Sequence, residues 1–251
     1  MKALITGASS GIGYSMARYL SKQGYDLIVV ARRRDCLNNL KNECNTDVRI
    51  IDLDLSIIAN MYKLHELTQN EDIDILVNNA GVGLYGDFCD IDVSKEISML
   101  NLNVIATDVL TKLYLQDMIK KNKGKILNVS SILGFMPTPL MSSYYASKAY
   151  ITSMSRAINT ELKMRKINVS ISTLCAGAVD TNFNSDLGVS FFIPPSSSEK
   201  VAEYSIKKLM KRKEVIIPGI INKMVYIFNK ITPVRIARYV IYITQNGKRD
   251  Y

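Results

Sequence analysis

The 251-residue chain has no tryptophan and a single histidine, His65. Its four cysteines, Cys36, Cys44, Cys89 and Cys175, stand far apart and form no CxxC pair. One imidazole without clustered thiols supplies too few soft ligands for a transition-metal site, so no metal is expected. His65 reads as an ordinary residue on a polar helix. Scattered cysteines argue against a disulfide framework and for a reducing, cytoplasmic compartment. Long apolar runs are missing too, and none approaches the ~18–20 residues that span a bilayer. The first strand starts at Lys2 and a glycine loop at Gly7, which leaves a cleavable signal peptide no room.

Acids are outnumbered, 23 against 32 bases, for a net charge of +9. Over half of that surplus lies in residues 218–251, where Lys223, Lys230, Arg235, Arg238, Lys248 and Arg249 meet only Asp250. Excess positive charge suits nucleic acid in general. No nucleic-acid motif or dense basic stripe accompanies it here, so that class of partner is not expected.

What the chain does have is a 47% hydrophobic content, enough for a sizeable core. Short β-branched runs alternate with longer helical patterns. Strands are expected at 2–6, 26–32, 48–54, 73–80, 125–131, 168–177 and 215–219. Helices are expected at 13–22, 94–121, 144–165 and 196–213, with the last starting at Glu199 behind a serine cap. This alternation predicts an α/β fold: a doubly wound, Rossmann-like parallel sheet with helices on both faces. Residues 1–217 form the nucleotide-binding and catalytic body. Residues 218–251 form a basic, amphipathic helical extension of the same domain, broken at Pro233.

The segment TGASSGIG, Thr6 to Gly13, joins the first strand to the first helix. Gly7, Gly11 and Gly13 allow a tight turn and close approach of backbone to a pyrophosphate. The helix N-terminus offers free N–H groups and a positive dipole end to that anion. A glycine turn alone is also an ordinary βα connection, and its position after the first strand favours the dinucleotide. At the end of the second strand, where an NAD-selective site usually carries an acid, the chain has Arg32, Arg33 and Arg34. A guanidinium grips a 2′-phosphate better than a ribose diol, so NADP(H) is expected, held by Arg32 and Arg33 but not by Arg34.

Seven motifs then follow one another in order: TGASSGIG (6–13), DLS (54–56), NNAG (78–81), NLNV (101–104), NVSS (128–131), YYASK (144–148) and AGAVDT (176–181). Together they resemble the short-chain dehydrogenase/reductase family, in its TGxxxGxG and YxxxK branch, over residues 1–217. A bacterial subgroup of broad substrate range is similar around 78–88 and 215–223. The resemblance implies a catalytic tetrad of Asn103, Ser131, Tyr144 and Lys148. The family serine lies thirteen residues before its tyrosine, which selects Tyr144 over Tyr145. The resemblance also implies cofactor contacts at Gly7, Ser9, Ser10, Gly11, Ile12 and Gly13, at Asp54 and Leu55, at Asn79, Ala80 and Gly81, at Tyr144 and Lys148, and at Gly177, Val179 and Thr181. It implies association through the long helices near 94–121 and 144–165, as a homodimer or homotetramer. Ala176 stands where the family usually has proline, which is expected to loosen the turn after the sixth strand.

The chemistry accounts for these residue types. Carbonyl reduction needs a proton on oxygen, and a phenol of pKa ~10 gives one up reluctantly. A lysine cation about 4 Å away favours the phenolate by about 4 kcal/mol at an effective dielectric near 20. The i, i+4 spacing puts Tyr144 and Lys148 on one helix face and turns Tyr145 aside by ~100°. Ser131 is an oxyanion donor. Asn103 is an unusual residue for a helix interior, and the family reading there is a local disruption of the helix. An NADPH-dependent carbonyl reductase is therefore expected. The alternative is a nucleotide-binding regulator, or a membrane-surface protein, that keeps the fold without turnover.

Phe183, Leu187, Phe191, Phe192 and Ile193 suggest either an apolar substrate wall or packing beneath a lid. In the extension, Ile221, Val225, Phe228 and Ile231 form an apolar stripe, followed by Ile236, Ala237, Val240 and Ile241. This segment packs on the body, roofs the pocket, meets another subunit, or lies against an anionic membrane through residues 220–251.

Overall fold

Strand β1 (Lys2–Thr6) is flanked in register by β2 (Asp26–Ala31) on one side and β4 (Ile75–Asn78) on the other, both parallel to it. The computed structural model describes residues 1–181, 183 and 195–246. Leu187, Phe191, Phe192 and Ile193 of the expected pocket wall lie outside the described residues. With β3 (Val48–Asp52), β5 (Gly124–Ser131), β6 (Val169–Ala176) and β9 (Val215–Ile216), the sheet has seven parallel strands in the order β3-β2-β1-β4-β5-β6-β9. That is the doubly wound order, and it reverses between β1 and β4.

Alternation along the strands explains why both faces are covered. Ala3 and Ile5 of β1 enter one core with Leu27 and Val29, while Leu4 enters the other with Ile28 and Val30. The first core is closed by α1 (Gly11–Lys22), α2 (Arg34–Asn42) and α7 (Ser198–Met210), through Met16, Leu20, Leu37, Leu40, Val201 and Ile206. The second is closed by α3 (Ile58–Thr68), α5 (Ala106–Lys120) and α6 (Ser142–Met164), through Met61, Leu64, Leu110, Tyr114 and Leu162. Strands buried on both sides must be apolar at successive positions, which is why they read as continuous β-branched runs.

Helix α7 starts one residue earlier than expected. Ser197, not Ser198, is its cap and accepts from the Lys200 N–H at 3.3 Å. The long helix expected near 94–121 is not uniform. It runs as α4 (Val93–Leu100), one π-helical turn (Asn101–Ile105) and then α5. A π-turn inserts an extra residue and swings one side chain out of the regular spacing.

Ala176 is the last residue of its strand. It pairs with Ser131 at the end of β6, and the next residues enter a short parallel ladder between β7 (Val179–Asp180) and β8 (Ser196–Ser197). The Ser196 N–H donates to the Ala178 carbonyl at 3.0 Å. Beyond β9, α8 (Ile220–Ile231) and α9 (Val234–Asn246) are separated at Thr232 and Pro233. Among the described residues no helix is long and apolar enough to cross a membrane.

Candidate active site

A cavity of about 780 Å³ opens at the carboxyl ends of the strands, where the order reverses. From the glycine loop it is lined by Gly7, Ser9, Ser10, Gly11 and Ile12, and from β2 and β3 by Arg32, Arg33, Asp54 and Leu55. Asn79, Ala80 and Gly81 follow β4, Ser131 ends β5, Tyr144 and Lys148 come from α6, and Gly177, Val179 and Thr181 follow β6. Two expected residues stand behind this wall, Gly13 and Asn103.

Gly13 supports the loop from below. A Cβ there would lie 2.4 Å from Asn79 Nδ2 and 2.5 Å from the Gly7 carbonyl oxygen. The Asn79 amide donates to the Thr6 and Gly7 carbonyls, both at 3.1 Å. Thr6 was not singled out in the sequence. Its hydroxyl accepts from the Asn79 and Ala80 N–H groups at 3.0 and 3.1 Å, which ties the loop after β4 to the end of β1. Gly7 and Gly11 have φ of +65° and +59°, the left-handed region open to glycine. Helix α1 starts at Gly11 with no side-chain cap and no acid in its first turn, so its N-terminal donors face the cavity uncompensated.

The three arginines separate. Arg33 donates to the hydroxyls of Ser9 and Ser10 at 3.2 and 3.0 Å and so sits against the glycine loop. Arg32 lies 3.7 Å from Asp54. Arg34 pairs with Asp52 at 2.9 Å and does not line the cavity. Burial would raise the Asp54 carboxyl, but hydrogen bonds from Ser56 and the charge of Arg32 hold it below the ordinary range.

At the other end of the cavity, Tyr144 and Lys148 are both buried. Lys148 Nζ lies 5.7 Å from the centre of the Tyr144 ring and donates to the Val129 carbonyl at 3.1 Å. Burial pushes the Tyr144 phenol up, with Tyr145 adding to the rise, and pushes Lys148 down to about 8. Desolvation, not the charge of Lys148, is the main influence on the phenol here. Tyr145 is not turned away from the cavity. It lines it too, with its ring 4.9 Å from that of Tyr144 and nearly perpendicular to it. A helix end pointing across a broad cavity presents two successive residues, so a 100° rotation does not remove one of them. Phe183 lies 5.6 Å from the Tyr144 ring and forms part of the same wall.

Asn103 lies on the π-turn and is 1% exposed. Its carboxamide acts as a strand partner for Val82, accepting from the Val82 N–H at 3.0 Å and donating to the Val82 carbonyl at 2.9 Å. It also donates to the Ser147 hydroxyl at 3.3 Å. A Cβ on Gly81 would stand 3.0 Å from Asn103 Oδ1 and 3.4 Å from Lys148 Nζ, so both side chains border Gly81. Asn101, the other asparagine of the turn, makes no such contact with the loop among the hydrogen bonds described.

The cavity has a wall that the motifs did not assign. Ile220, Ile221, Asn222, Val225, Phe228 and Asn229 of α8 line it, as do Ala237, Val240 and Ile241 of α9. Helix α8 is fastened to the body by Asn222, whose amide presses on Gly177, and by Tyr226, whose ring meets Phe135 at 4.8 Å. The apolar stripe of the extension was visible in the sequence. Its destination was not, because periodicity identifies a buried face without naming what buries it.

His65 pairs with Asp117 at 2.7 Å, on α3 and α5, away from the cavity. Among the described residues no group of three or more His, Cys, Asp or Glu stands close enough to hold a metal ion.

The short chain dehydrogenase family model matches residues 1–189. An uncharacterised oxidoreductase of Staphylococcus epidermidis is 32% identical over 181 residues, covering 71% of this chain and 78% of that protein. The very-long-chain 3-oxoacyl-CoA reductase of Rattus norvegicus is 35% identical over 175 residues; the match covers 66% of this chain but only 56% of the rat protein. Among solved structures, a short-chain dehydrogenase from Sphingobium yanoikuyae in complex with NADPH superposes with a TM-score of 0.81 at 25% identity, covering 100% of this chain and 96% of that one.

Proposed function

The chain belongs to the short chain dehydrogenase family, a family of oxidoreductases, and we propose that within it this protein is an NADPH-dependent carbonyl reductase, an alcohol:NADP⁺ oxidoreductase acting on ketones or aldehydes with an apolar body. One observation carries the reading: the glycine loop, Ser131, Tyr144 and Lys148 line a single cavity.

The residues fit a dinucleotide. Positive-φ glycines and an uncapped helix start leave room and donors for a pyrophosphate. Asp54 and Leu55 flank the adenine region, Asn79, Ala80 and Gly81 the adjoining ribose, and Gly177, Val179 and Thr181 the nicotinamide end. Arg33 with Ser9 and Ser10, and Arg32 beside Asp54, form a cationic corner for a 2′-phosphate. The NADPH complex of the Sphingobium relative supports this choice. When bound, the cofactor supplies the hydride.

The chain's own residues supply the proton. With its acidity lowered by burial, Tyr144 stays protonated at neutral pH, the form a proton donor to a developing alkoxide requires. Lys148, shifted down to about 8, is mostly charged at pH 7 and stabilises the phenolate left behind. Ser131 orients the carbonyl oxygen and shares its growing charge. Asn103 holds the loop at Val82, and both it and Lys148 border Gly81.

An apolar substrate body is supported by the pocket wall of Ile221, Val225, Phe228, Val240 and Phe183. The rat relative's name points to a chain-bearing carbonyl as well. Residues 219–241 act as the pocket's roof, an extension of the catalytic domain. Exposed Val93, Ile97 and Ile105 on the α4–α5 run and Tyr150 on α6 support association through those helices into a homodimer or homotetramer. A nucleotide-binding regulator without turnover is separated by assay: NADPH oxidation over a panel of apolar carbonyls, comparing wild type with Tyr144→Phe. No turnover by the wild type, with NADPH still bound, would favour the regulator.

A further inference from the structure

Helices α8 and α9 hold twelve of the exposed large hydrophobic side chains of the described residues, from Ile220 to Ile243, against eleven on the rest of the chain. Two different apolar faces account for this. On α8, Ile221, Val225 and Phe228 look into the cavity, while Met224, Ile227 and Ile231 do not line it and are 65%, 57% and 75% exposed. At 100° per residue the two stripes are centred roughly 95° apart. On α9, Ala237, Val240 and Ile241 line the cavity, and Ile236, Tyr239 and Ile243 are exposed on another side.

Cations lie beside the outer stripes. Lys223 and Lys230 stand to one side of that of α8, and Arg235 and Arg238 to one side of that of α9; residues 218–246 contain no acid. Lys223 and Lys230 each lie over a tyrosine ring, Tyr204 and Tyr226, which keeps them at the edge of the patch. Ile220, Ile221, Phe228 and Val240 line the cavity and are also 76%, 53%, 47% and 46% exposed, so its rim lies on this patch.

We propose that residues 220–243 seat the protein on an anionic lipid surface, with the cavity mouth facing the lipid, so that an apolar carbonyl compound dissolved there enters without crossing water. An apolar stripe with Lys and Arg beside it is the pattern of a helix lying in the interface plane. A second copy seated face to face would bring these four cations against the same four, whereas lipid phosphate neutralises them. The entry route rests on the carbonyl reductase reading; the docking itself does not.

The test is sedimentation of the full chain with vesicles of phosphatidylcholine alone and of phosphatidylcholine mixed with phosphatidylglycerol, at low and high salt. Binding to the mixed vesicles is expected, weakened by salt. Ile227→Ser with Ile231→Ser, and separately Lys230→Glu with Arg238→Glu, are each expected to lower it by about tenfold or more. Circular dichroism and turnover of a small water-soluble ketone check that the variants fold. Equal binding to both vesicle types, or no binding to either, overturns the proposal. So does a concentration-dependent dimer in sedimentation velocity that Ile227→Ser dissociates, since the face then belongs to a second copy. Vesicle binding without turnover of any carbonyl removes the functional reading and leaves the docking standing.

Discussion

Lys148 Nζ stands 5.7 Å from the centre of the Tyr144 ring, with its hydrogen bond directed to the Val129 carbonyl. In the proposed reaction the lysine stabilises charge once the phenol has lost its proton, and burial, which raises the phenol, favours the protonated form beforehand.

This arrangement sets a pH dependence. Lys148 is held down to about 8, so the cation is present below that pH and lost above it. The kcat for carbonyl reduction should fall as pH rises through about 8. Tyr144→Phe should lower kcat by roughly 10²–10⁴-fold with NADPH binding retained, and Tyr145→Phe should do far less. Equal losses from the two substitutions in steady-state kinetics would remove Tyr144 from its role.

The same shift acts on stability. Between about pH 8 and the ordinary lysine range, the unfolded chain binds a proton at Lys148 that the folded chain does not. Stability from this group therefore rises with pH over that window, having been reduced below it. Lys148→Met should flatten the rise in thermal melts taken from pH 7.5 to about 9.5, below the range where tyrosines ionise. An unchanged slope in the variant would show that the amine is not desolvated in the folded state.

Asn103→Leu removes both hydrogen bonds to Val82 and leaves that half-buried backbone without these partners. A loss of about 1–3 kcal/mol per unsatisfied group is expected in urea unfolding, with weaker nucleotide binding as the loop after β4 loosens. Asn101→Leu serves as the control and should cost much less. Similar losses from both would mean that the π-turn does not matter to the loop.

Gly13→Ala forces a Cβ to within 2.4 Å of Asn79 Nδ2. The asparagine must leave the Thr6 and Gly7 carbonyls, and NADPH affinity should drop by about tenfold or more, with ~1–3 kcal/mol of stability. Retained affinity by fluorescence titration would contradict the support assigned to Asn79.

Arg33→Glu should weaken NADPH by about 10–100-fold, the worth of a charged hydrogen bond, while NADH changes little. Arg32→Asp should act in the same direction, and Arg34→Ala, which frees only Asp52, should not. Parallel losses for both nucleotides would exclude a 2′-phosphate corner.

The strands were legible because strands buried on both faces must be apolar throughout, and Leu4 beside Ala3 and Ile5 shows that directly. The glycine loop was legible because few other residues tolerate its φ values. The asparagine pair 101 and 103 was not separable by composition. A π-turn is a matter of register, and register is settled by what the side chain finds, here both backbone groups of Val82.

By itself the sequence determined the alternation of elements, the order of the motifs and the basic, amphipathic pattern of the last helices. All of these depend on neighbours a few residues apart. Only the tertiary structure decided that Tyr145 shares the cavity with Tyr144, that burial lowers Lys148, and that α8 and α9 wall the pocket. Desolvation and the identity of a covering surface depend on which distant segments meet, and periodicity within one segment carries no record of that.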